Sequence, residues 1–343
     1  MPTRKDKQEE TDALSTLIKD KDYKGLSAHL KAGIGAYLES DTFKNYLNFV
    51  STFYRYSDRN VRLILAQNPH ARHVESFNAW KNRDNPVKKG GKALYIYAPQ
   101  MVYKKDQEGR KVTDENGEFV KETYFKLTPV FDESQTQYPE QLPRPIYAIE
   151  ENMEDPEHFA KLYLGLTKLS QIEVRMEQME GQAQGYYLPD DNLIVLKKGL
   201  GQVQTIKTLI HEMTHARLHT NSSARFGDEV YSRQEFEAEA VAYIVCQHLN
   251  IDTSTYSFAY LSSWTERGEK LEELEESLHT ITQEAKEMIT SIEQTLEKAY
   301  TLEGPRNKFE ERLATLKSDP TMQKGGQKIH KTMSKQARPQ PLK

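Results

Sequence analysis

The chain has 343 residues, enough for two domains of ordinary size, and its hydrophobic content of 37% is compatible with packed cores. A net charge of −4, from 47 basic and 51 acidic side chains, points to no particular class of partner. The N-terminus lacks the apolar region of a signal peptide, and no stretch approaches the length of about 18 apolar residues that a membrane helix needs, so we expect a cytoplasmic protein without membrane contact. A single cysteine, Cys246, excludes an internal disulfide, and its apolar surroundings predict a buried thiol.

The first part of the chain contains predicted helices followed by a predicted β-hairpin. Residues 11–56 carry apolar side chains at near four-residue spacing, which indicates helices with one buried face. Residues 93–132 contain two β-rich runs, ALYIYAPQMVY and TYFKLTPVF, joined by the turn-prone segment Asp114–Gly117. The stretch 134–145 contains three prolines and has no periodicity, so we place a domain boundary there.

The middle of the chain predicts a small mixed domain in which strands precede a pair of helices. The second helix of the pair is separated from the first by the polar loop TNSSARFGDEVYS. The predicted elements are a helix over residues 149–169, strands over 172–176 and 193–196 with turn signals at Gly185 and at 189–192, a helix over about 203–219, and a helix over RQEFEAEAVAYIVCQHL.

Apolar residues near the C-terminus alternate spacings of 3 and 4, which is a heptad pattern about three repeats long. We interpret it as a long helix packed on its own chain, with a dimeric coiled coil as the alternative. From Ser318 onward, glycines, lysines and prolines predict a disordered basic tail. The heptad residues are Leu271, Leu274, Leu278, Ile281, Ala285, Met288 and Ile292.

The segment His211-Glu212-Met213-Thr214-His215 is an HExxH motif within a predicted amphipathic helix. Positions i and i+4 lie on one helical face, so two imidazoles can bind one tetrahedral metal ion while Glu212 stays free to act on water. A zinc ion with three protein ligands keeps a fourth position open, lowers the pKa of the water there to about 7 and polarises a carbonyl. We therefore predict His211 and His215 as Zn²⁺ ligands and Glu212 as the catalytic base.

The third ligand has to come from outside this motif, and the next predicted helix carries three glutamates in otherwise apolar surroundings. Charged groups are uncommon there unless they are paired or bound to metal. Glu235, 20 residues after His215, shares a face with Glu239, whereas Glu237 points roughly the opposite way. We assign Glu235 as the ligand and Glu239 as the acceptor of a hydrogen bond from a ligand histidine, and the reverse assignment stays open. His219, one turn after His215, is predicted to be structural or near the substrate cleft.

Residues 51–105 carry 11 basic side chains against 3 acidic ones and are interleaved with aromatic residues. Cations that follow a phosphate backbone, together with rings on which bases stack, are typical of single-strand binding. Composition alone favours a structural role, because such aromatics are usually core and such charges usually face solvent. The segment Lys88-Lys89-Gly90-Gly91-Lys92 is more specific, since glycines let a backbone approach a phosphate, although it lacks the residue order of a P-loop.

Two parts of the sequence resemble the two parts of one known family. The ArdC-like antirestriction proteins have an N-terminal single-stranded DNA-binding domain that is similar to YSDRNVRLILAQNP, SFNAWKNRDNPVKKGGKALYIYAP and PVFDESQT. Their following zincin domain, related to ImmA/IrrE metallopeptidases and to LtrC-like proteins of conjugative elements, resembles HEMTHARLH with FGDEVYSRQEFEAEAVAY. Together these stretches cover about residues 40–265. The chain departs from the usual pattern in NPVKKGGKA and in its added acidic helix.

The resemblance implies an α+β fold and a function in DNA transfer. The implied protein belongs to a mobile or conjugative element, binds single-stranded DNA and zinc, and shields incoming DNA from restriction. Within this family the first two domains are the DNA-binding domain, over residues 1–145, and a small gluzincin-like metallopeptidase domain, over 146–260. Spacing and composition add a long acidic helix with the heptad seam over 261–317 and the basic tail over 318–343. The predicted DNA contacts are Trp80, Lys88, Lys89 and Lys92, which fall in the family's DNA-binding region, together with Tyr56, Arg59 and Arg62 of the basic aromatic segment.

Two other functions fit the same residues. One is a regulatory metalloprotease of the ImmA/IrrE kind that cleaves a repressor, in which the N-terminal domain is only a targeting module. The other is a DNA-binding protein with a purely structural zinc ion. The presence of Glu212 argues against the second, because a structural site has no need of a base.

Overall fold

The chain divides into two compact units, residues 1–292 and residues 293–343. The predicted tail at 318–343 and residues 140–145 of the predicted linker lie outside the described residues. Within the described part of the chain, no helix has the length and apolar character to cross a membrane. The computed structural model describes residues 4–139, 156–222, 224, 228–251, 253, 256, 258 and 270–302.

The N-terminal part combines helices with a three-stranded antiparallel sheet of order β1-β3-β2. Serine side chains cap two of the helices: Ser57 accepts a hydrogen bond from the N–H of Asn60, and Ser76 from that of Ala79. The predicted hairpin is formed by β2 and β3. The elements are α1 (Arg4–Asp20), α2 (Tyr23–Ala32), a 3-10 helix (Gly33–Leu38), α3 (Ser40–Thr52), α4 (Asp58–Gln67), β1 (Val74–Glu75), α5 (Phe77–Asn82), β2 (Leu94–Tyr103) and β3 (Lys121–Asp132).

Amide side chains of α4 cover the edge of this sheet at β2. Asn60 bonds both the C=O and the N–H of Tyr97, at 2.9 and 2.8 Å, and Gln67 does the same for Tyr95 at 2.8 and 2.8 Å. An uncovered edge strand would present unpaired backbone groups, and a side-chain amide supplies both a donor and an acceptor. The inner face of the hairpin packs on the helices through a cluster of Leu14, Leu26, Leu30, Leu63, Tyr97 and Leu127.

The C-terminal part has a second three-stranded sheet, of order β4-β6-β5, in which β4 is parallel and β5 antiparallel to β6. The fold class is therefore confirmed as α+β, with helices and small sheets in both parts. The elements are α6 (Pro156–Ser170), β4 (Glu173–Glu177), β5 (Gly185–Leu188), β6 (Leu193–Lys197), α7 (Gln202–Leu218), α8 (Glu229–His248) and α9 (Leu271–Leu302).

The structure corrects two expectations from the sequence. The sequence predicts Gly185 as a turn residue, but it is the first residue of β5. Helix α8 begins at Glu229, four residues before the predicted start at Arg233, so the end of the expected loop is helical. The start of the helix predicted over 149–169 lies outside the described residues, and its described part begins at Pro156.

The packing of β5 against α7 and β6 leaves no room for a side chain at Gly185. A Cβ at this position would be 2.7 Å from Cγ2 of Thr208 on α7 and 2.9 Å from the carbonyl oxygen of Val195 on β6. We expect Gly185→Ala to lower the free energy of unfolding by about 1–3 kcal/mol, because the backbone must shift to admit a methyl group. Urea denaturation measures this. The control is Gly35→Ala, where nothing lies within 4 Å of the added Cβ, and equal effects of the two substitutions would contradict the close packing.

Helix α9 buries its heptad seam within its own chain. Leu274, Leu278, Ile281 and Ala285 are fully buried, so this part of the seam is covered by the chain itself and is not open to a second copy. Polar contacts join the same helix to elements of both parts of the first unit. They are Lys31 with Glu272 at 2.7 Å, Arg62 with Glu275 at 3.1 Å, Tyr46 with Thr282 at 3.2 Å, and Arg217 with Glu284.

Candidate metal centre

Helix α7 holds His211 and His215 at one point of its surface. Its buried residues, among them Leu209 and Met213, fix the helix against the sheet and α8. The two histidines are four residues apart and project on the same side of the helix. Their Nε2 atoms lie 3.1 Å from each other, so both ring nitrogens face the same small volume.

Helix α8 brings a carboxylate to the same volume. Oε2 of Glu235 lies 3.5 Å from Nε2 of His211, and Oε1 lies 3.3 Å from Nε2 of His215. The edge of a tetrahedron around zinc is roughly 3.3 Å when the metal–ligand bonds are about 2.0 Å. The 3.1 Å between the two Nε2 atoms matches this edge, and each Nε2 atom lies within 3.5 Å of one of the two Glu235 oxygens. One ligand atom from each of the three residues lies within 4.8 Å of the others, as ligands of one ion require. Two imidazoles and one carboxylate are also a donor set that zinc accepts.

The other ring nitrogen of each histidine has a partner of its own. Nδ1 of His211 lies 3.5 Å from Oε2 of Glu239, and Nδ1 of His215 lies 3.0 Å from Nδ1 of His219. Glu239 is therefore on the Nδ1 side of His211, away from the point where the Nε2 atoms meet. This arrangement favours Glu235 over Glu239 as the third ligand.

The electrostatics of the cluster suit a cation. Burial alone would lower the pKa of His211, but the hydrogen bonds that its ring donates to Glu235 and Glu239, together with the charge of Glu212, raise it to about 10. Burial alone would raise the pKa of Glu235, but the hydrogen bonds and charges of His211 and His215 outweigh it and hold that pKa below its ordinary value. The carboxylates of Glu212, Glu235 and Glu239 thus lie close to the imidazoles in a partly buried pocket, and they stabilise positive charge there.

Glu212 lies beside the three donors and has a different environment. Its residue exposure is 6%, and burial raises the pKa of its carboxyl group above the ordinary value. The backbone N–H of Tyr187 on β5 donates a hydrogen bond to it. Tyr231, on the first turn of α8, hydrogen-bonds to Glu235, and burial together with that carboxylate raises the pKa of its hydroxyl to about 12. Tyr231 lies in the segment that the sequence predicts as a loop, and this explains why it is not predicted as a site residue.

These residues line an open cleft of about 790 Å³. One wall is β5, an edge strand of the sheet, and the opposite wall includes Tyr231, Gln234 and Glu239 of α8. His211, Glu212, His215 and Glu235 all line the same cleft. A substrate that enters it therefore meets the three donors and the buried carboxylate together.

Burial corrects two of the predicted DNA contacts, Trp80 and Arg62, and partly covers a third, Tyr56. The Trp80 side chain is fully buried, and its Nε1–H donates to the carbonyl of Phe131 at 2.8 Å, so its ring cannot stack on a base. Arg62 is 5% exposed and donates to Asp58 at 2.6 Å and to Glu275 at 3.1 Å, so its charge is already paired. Tyr56 is half-buried, and its hydroxyl donates to the carbonyl of Val74 at 2.9 Å.

The other predicted DNA contacts face solvent. Arg59 is exposed on α4, with its guanidinium 5.7 Å from the ring centre of Tyr97. Lys88, Lys89 and Lys92 are exposed on a loop before β2, in which Gly90 adopts a φ of +88°. Gln135 fixes this loop, because its carbonyl accepts from the N–H of Lys88 at 2.8 Å and its side chain accepts from that of Lys92 at 2.5 Å. The lysine side chains are thus presented together on an anchored loop.

Comparison with known families agrees with both halves of the structure. A family model described as a zincin-like metallopeptidase matches residues 168–283, which contain the candidate metal centre. The C-terminal part is therefore a zincin-like domain. A model described as the N-terminal domain of the anti-restriction factor ArdC matches residues 18–131. The chain has the ArdC-like architecture, an ArdC-type N-terminal domain followed by a zincin-like domain.

The chain is also similar to individual proteins. An uncharacterized protein of Bacillus anthracis is 31% identical over 280 residues, which are 73% of this chain and 47% of that protein. The chain thus spans about half the length of this curated relative. The metal-free crystal structure of the antirestriction protein ArdC from plasmid R388 has a TM-score of 0.46 at 20% identity, over 71% of this chain and 86% of that one. Its Mn(II)-bound structure has a TM-score of 0.42 at 19% identity, over 70% and 84%.

Proposed function

We propose that this chain is an ArdC-like antirestriction protein of a mobile or conjugative element, which binds single-stranded DNA through its first 145 residues and carries a zinc-dependent peptidase site. We further propose that it acts in the cytoplasm and protects incoming DNA from restriction. The observation that carries the metal half is that the Nε2 atoms of His211 and His215 lie 3.1 Å apart and that each lies within 3.5 Å of a carboxylate oxygen of Glu235. The match to the N-terminal domain of an anti-restriction factor supports the DNA half.

In the proposed site, His211 and His215 would hold zinc through their Nε2 atoms, and Glu235 would supply the third ligand. When bound, zinc lowers the pKa of a water molecule to about 7 and polarises a carbonyl group. Glu239 accepts a hydrogen bond from Nδ1 of His211, which fixes the ring in the tautomer that leaves Nε2 free for the metal.

Glu212 is the proposed base of the reaction. Its buried carboxylate takes a proton from the attacking water and passes it to the leaving amine, for which a raised pKa is suitable. The N–H of Tyr187 keeps this carboxylate at the wall of the cleft. The hydroxyl of Tyr231 lines the same cleft and donates a hydrogen bond to Glu235, which helps to orient that carboxylate.

The proposed substrate of the peptidase site is an extended segment of a protein chain. Within the described residues, β5 pairs with β6 along one side, and Gly185, Tyr186 and Tyr187 line the cleft. An edge strand beside a catalytic cleft can pair with an extended peptide through backbone hydrogen bonds. The cleft therefore suits an unfolded or loop segment better than a compact surface.

The experiment for the metal half is metal analysis of the purified protein, followed by incubation with casein as an unstructured probe. We expect one equivalent of zinc and discrete cleavage products by mass spectrometry that a chelator abolishes. Zinc binding without any cleavage would leave the structural-zinc alternative, and the absence of zinc would overturn the metal half.

For the DNA half, we expect the triple substitution of Lys88, Lys89 and Lys92 by Ala to weaken single-strand binding and its dependence on salt. Removing one lysine–phosphate pair on a single strand reduces the slope of log K against log salt by about 0.7, so removing three reduces it by about 2. Fluorescence anisotropy with a labelled oligonucleotide at several salt concentrations measures both. The control replaces three exposed lysines outside this loop, Lys19, Lys24 and Lys168. If the slope is the same in both variants, the loop is not the DNA site.

A further inference from the structure

Behind the candidate metal centre, a line of hydrogen-bonded side chains extends from His215 into the interior. Nδ1 of His215 lies 3.0 Å from Nδ1 of His219, and Nε2 of His219 lies 3.1 Å from Oε2 of Glu237. The hydroxyl of Ser277 on α9 donates to Oε1 of Glu237 at 2.6 Å. The line therefore joins α7, α8 and α9.

The line is largely buried, although His219 also borders the cleft. The side chains of His219 and Glu237 are 8% and 10% exposed, and Ser277 is 1% exposed. A buried carboxylate is costly unless its oxygens accept hydrogen bonds. Here both oxygens of Glu237 have such partners, His219 for Oε2 and Ser277 for Oε1. This accounts for a glutamate that points away from Glu235 and Glu239 yet is not at the surface.

We propose that Glu237, through His219, is a positioning residue that keeps His215 in the tautomer required for metal binding. The proposal rests on the metal site proposed above. A metal on Nε2 of His215 requires the hydrogen of that ring to be on Nδ1. Nδ1 of His219 must then accept, so the hydrogen of His219 is on Nε2 and is donated to Glu237. Glu237 as a carboxylate can only accept, and it therefore fixes the direction of every hydrogen bond in the line.

A change of Glu237 to Gln tests the direction of the hydrogen bonds along the line, because it keeps the shape of the side chain at this position. The amide can turn its NH₂ group toward His219, which then accepts on Nε2 and carries its hydrogen on Nδ1. His215 must in that case accept on Nδ1 and carry its hydrogen on Nε2, the position that the metal needs. The isosteric variant thus permits the tautomer that excludes the metal, although the packing is unchanged.

We expect Glu237→Gln to weaken zinc binding by about 10- to 100-fold, the range found when a partner of a ligand histidine is removed. Ser277→Ala should weaken it less and in the same direction, because the carboxylate remains an acceptor. The readout is the dissociation constant of the full-length protein for Zn²⁺, measured by competition with a chromophoric chelator. The melting temperature of the metal-free protein reports separately on the fold.

Glu284→Gln is the matched control. Glu284 is also a buried glutamate, 5% exposed, and it joins α9 to α7 through an ion pair with Arg217 instead of a bond to a histidine of the line. We expect the zinc affinity of Glu284→Gln to stay within about 2-fold of the wild type even if this variant is less stable.

The outcomes separate the positioning role from the metal site itself. A wild-type zinc affinity in Glu237→Gln would overturn the positioning role while leaving the metal site intact. The same would follow if Glu284→Gln weakened zinc as much as Glu237→Gln, because general loosening of α7 would then explain both. A wild-type protein that binds no zinc would overturn the metal site, and the positioning role with it.

Discussion

Replacement of Glu235 by Ala should weaken zinc binding by roughly two orders of magnitude. Structural zinc sites bind with about 10–16 kcal/mol from four ligands, so one ligand contributes roughly 3 kcal/mol, which is about a 100-fold change in affinity. Glu235 is the residue whose two carboxylate oxygens lie at 3.5 and 3.3 Å from the Nε2 atoms of His211 and His215. Competition with a chelator gives the dissociation constant, and inductively coupled plasma mass spectrometry gives the zinc content.

Two companion variants make this result specific. Gln234→Ala changes the neighbouring residue of the same cleft and should leave zinc affinity almost unchanged. Glu239→Ala should reduce it by about 10- to 100-fold, as expected for a residue that holds a ligand ring rather than the metal. If Glu239→Ala has the larger effect, the roles of the two glutamates are reversed.

The metal-free form of Glu235→Ala should remain folded. The helices that carry the ligands are fixed by apolar packing that does not involve the metal: Leu209 and Met213 of α7 and Phe236 of α8 are buried, and the ring centre of Phe236 lies 5.3 Å from that of Phe43 on α3. Loss of zinc affinity in a protein with an unchanged far-UV circular dichroism spectrum would separate ligand loss from unfolding.

The parts of the structure that sequence could predict are those set by local spacing. The two histidines of HExxH share a helical face because they are four residues apart, and no tertiary information is needed for that. The β2–β3 hairpin follows from alternation and a turn-prone Asp114–Gly117 segment. The heptad residues of α9 predict a buried helical face, and that face is buried.

The parts that sequence could not predict depend on which elements meet. A tryptophan followed by lysine and arginine has the composition of a nucleic-acid surface, yet Trp80 is core because α5 lies on β3. Arg62 is basic by composition but is paired within the chain by Asp58 one turn earlier and by Glu275 more than 200 residues later. Gly185 resembles a turn residue, but it pairs with Leu196 of β6, and the close approach of α7 and β6 explains why a residue without a side chain stands there.

Glu237 shows how the two kinds of information combine. The helical spacing correctly turns it away from Glu235, but spacing alone gives no partner on that side. The partner is His219, at the end of α7, and α9 closes the space behind it with Ser277. The signal in the sequence is the pair His215 and His219, one helical turn apart, together with a glutamate in an apolar helix.

Replacement of Glu212 by Gln should reduce peptide hydrolysis by about 10²- to 10⁴-fold, the usual contribution of a general base. Gln has almost the same shape as Glu and can still accept a hydrogen bond from the N–H of Tyr187, but it cannot take a proton from water. Zinc affinity should stay within a few-fold of the wild type, because Glu212 is not one of the three donors. The rate of casein cleavage, normalised to bound zinc, measures the effect.

The same variant separates the two halves of the proposed function. Glu212 lies in the zincin-like domain and Lys88, Lys89 and Lys92 lie in the ArdC-type domain, so Glu212→Gln should bind a single-stranded oligonucleotide as tightly as the wild type does. In a transfer assay into a restricting host, protection that survives Glu212→Gln but is lost in the triple lysine variant would assign antirestriction to DNA binding alone. Protection lost in both would require cleavage of a protein as well. Casein cleavage that persists in Glu212→Gln at full zinc occupancy would instead place the base elsewhere in the cleft.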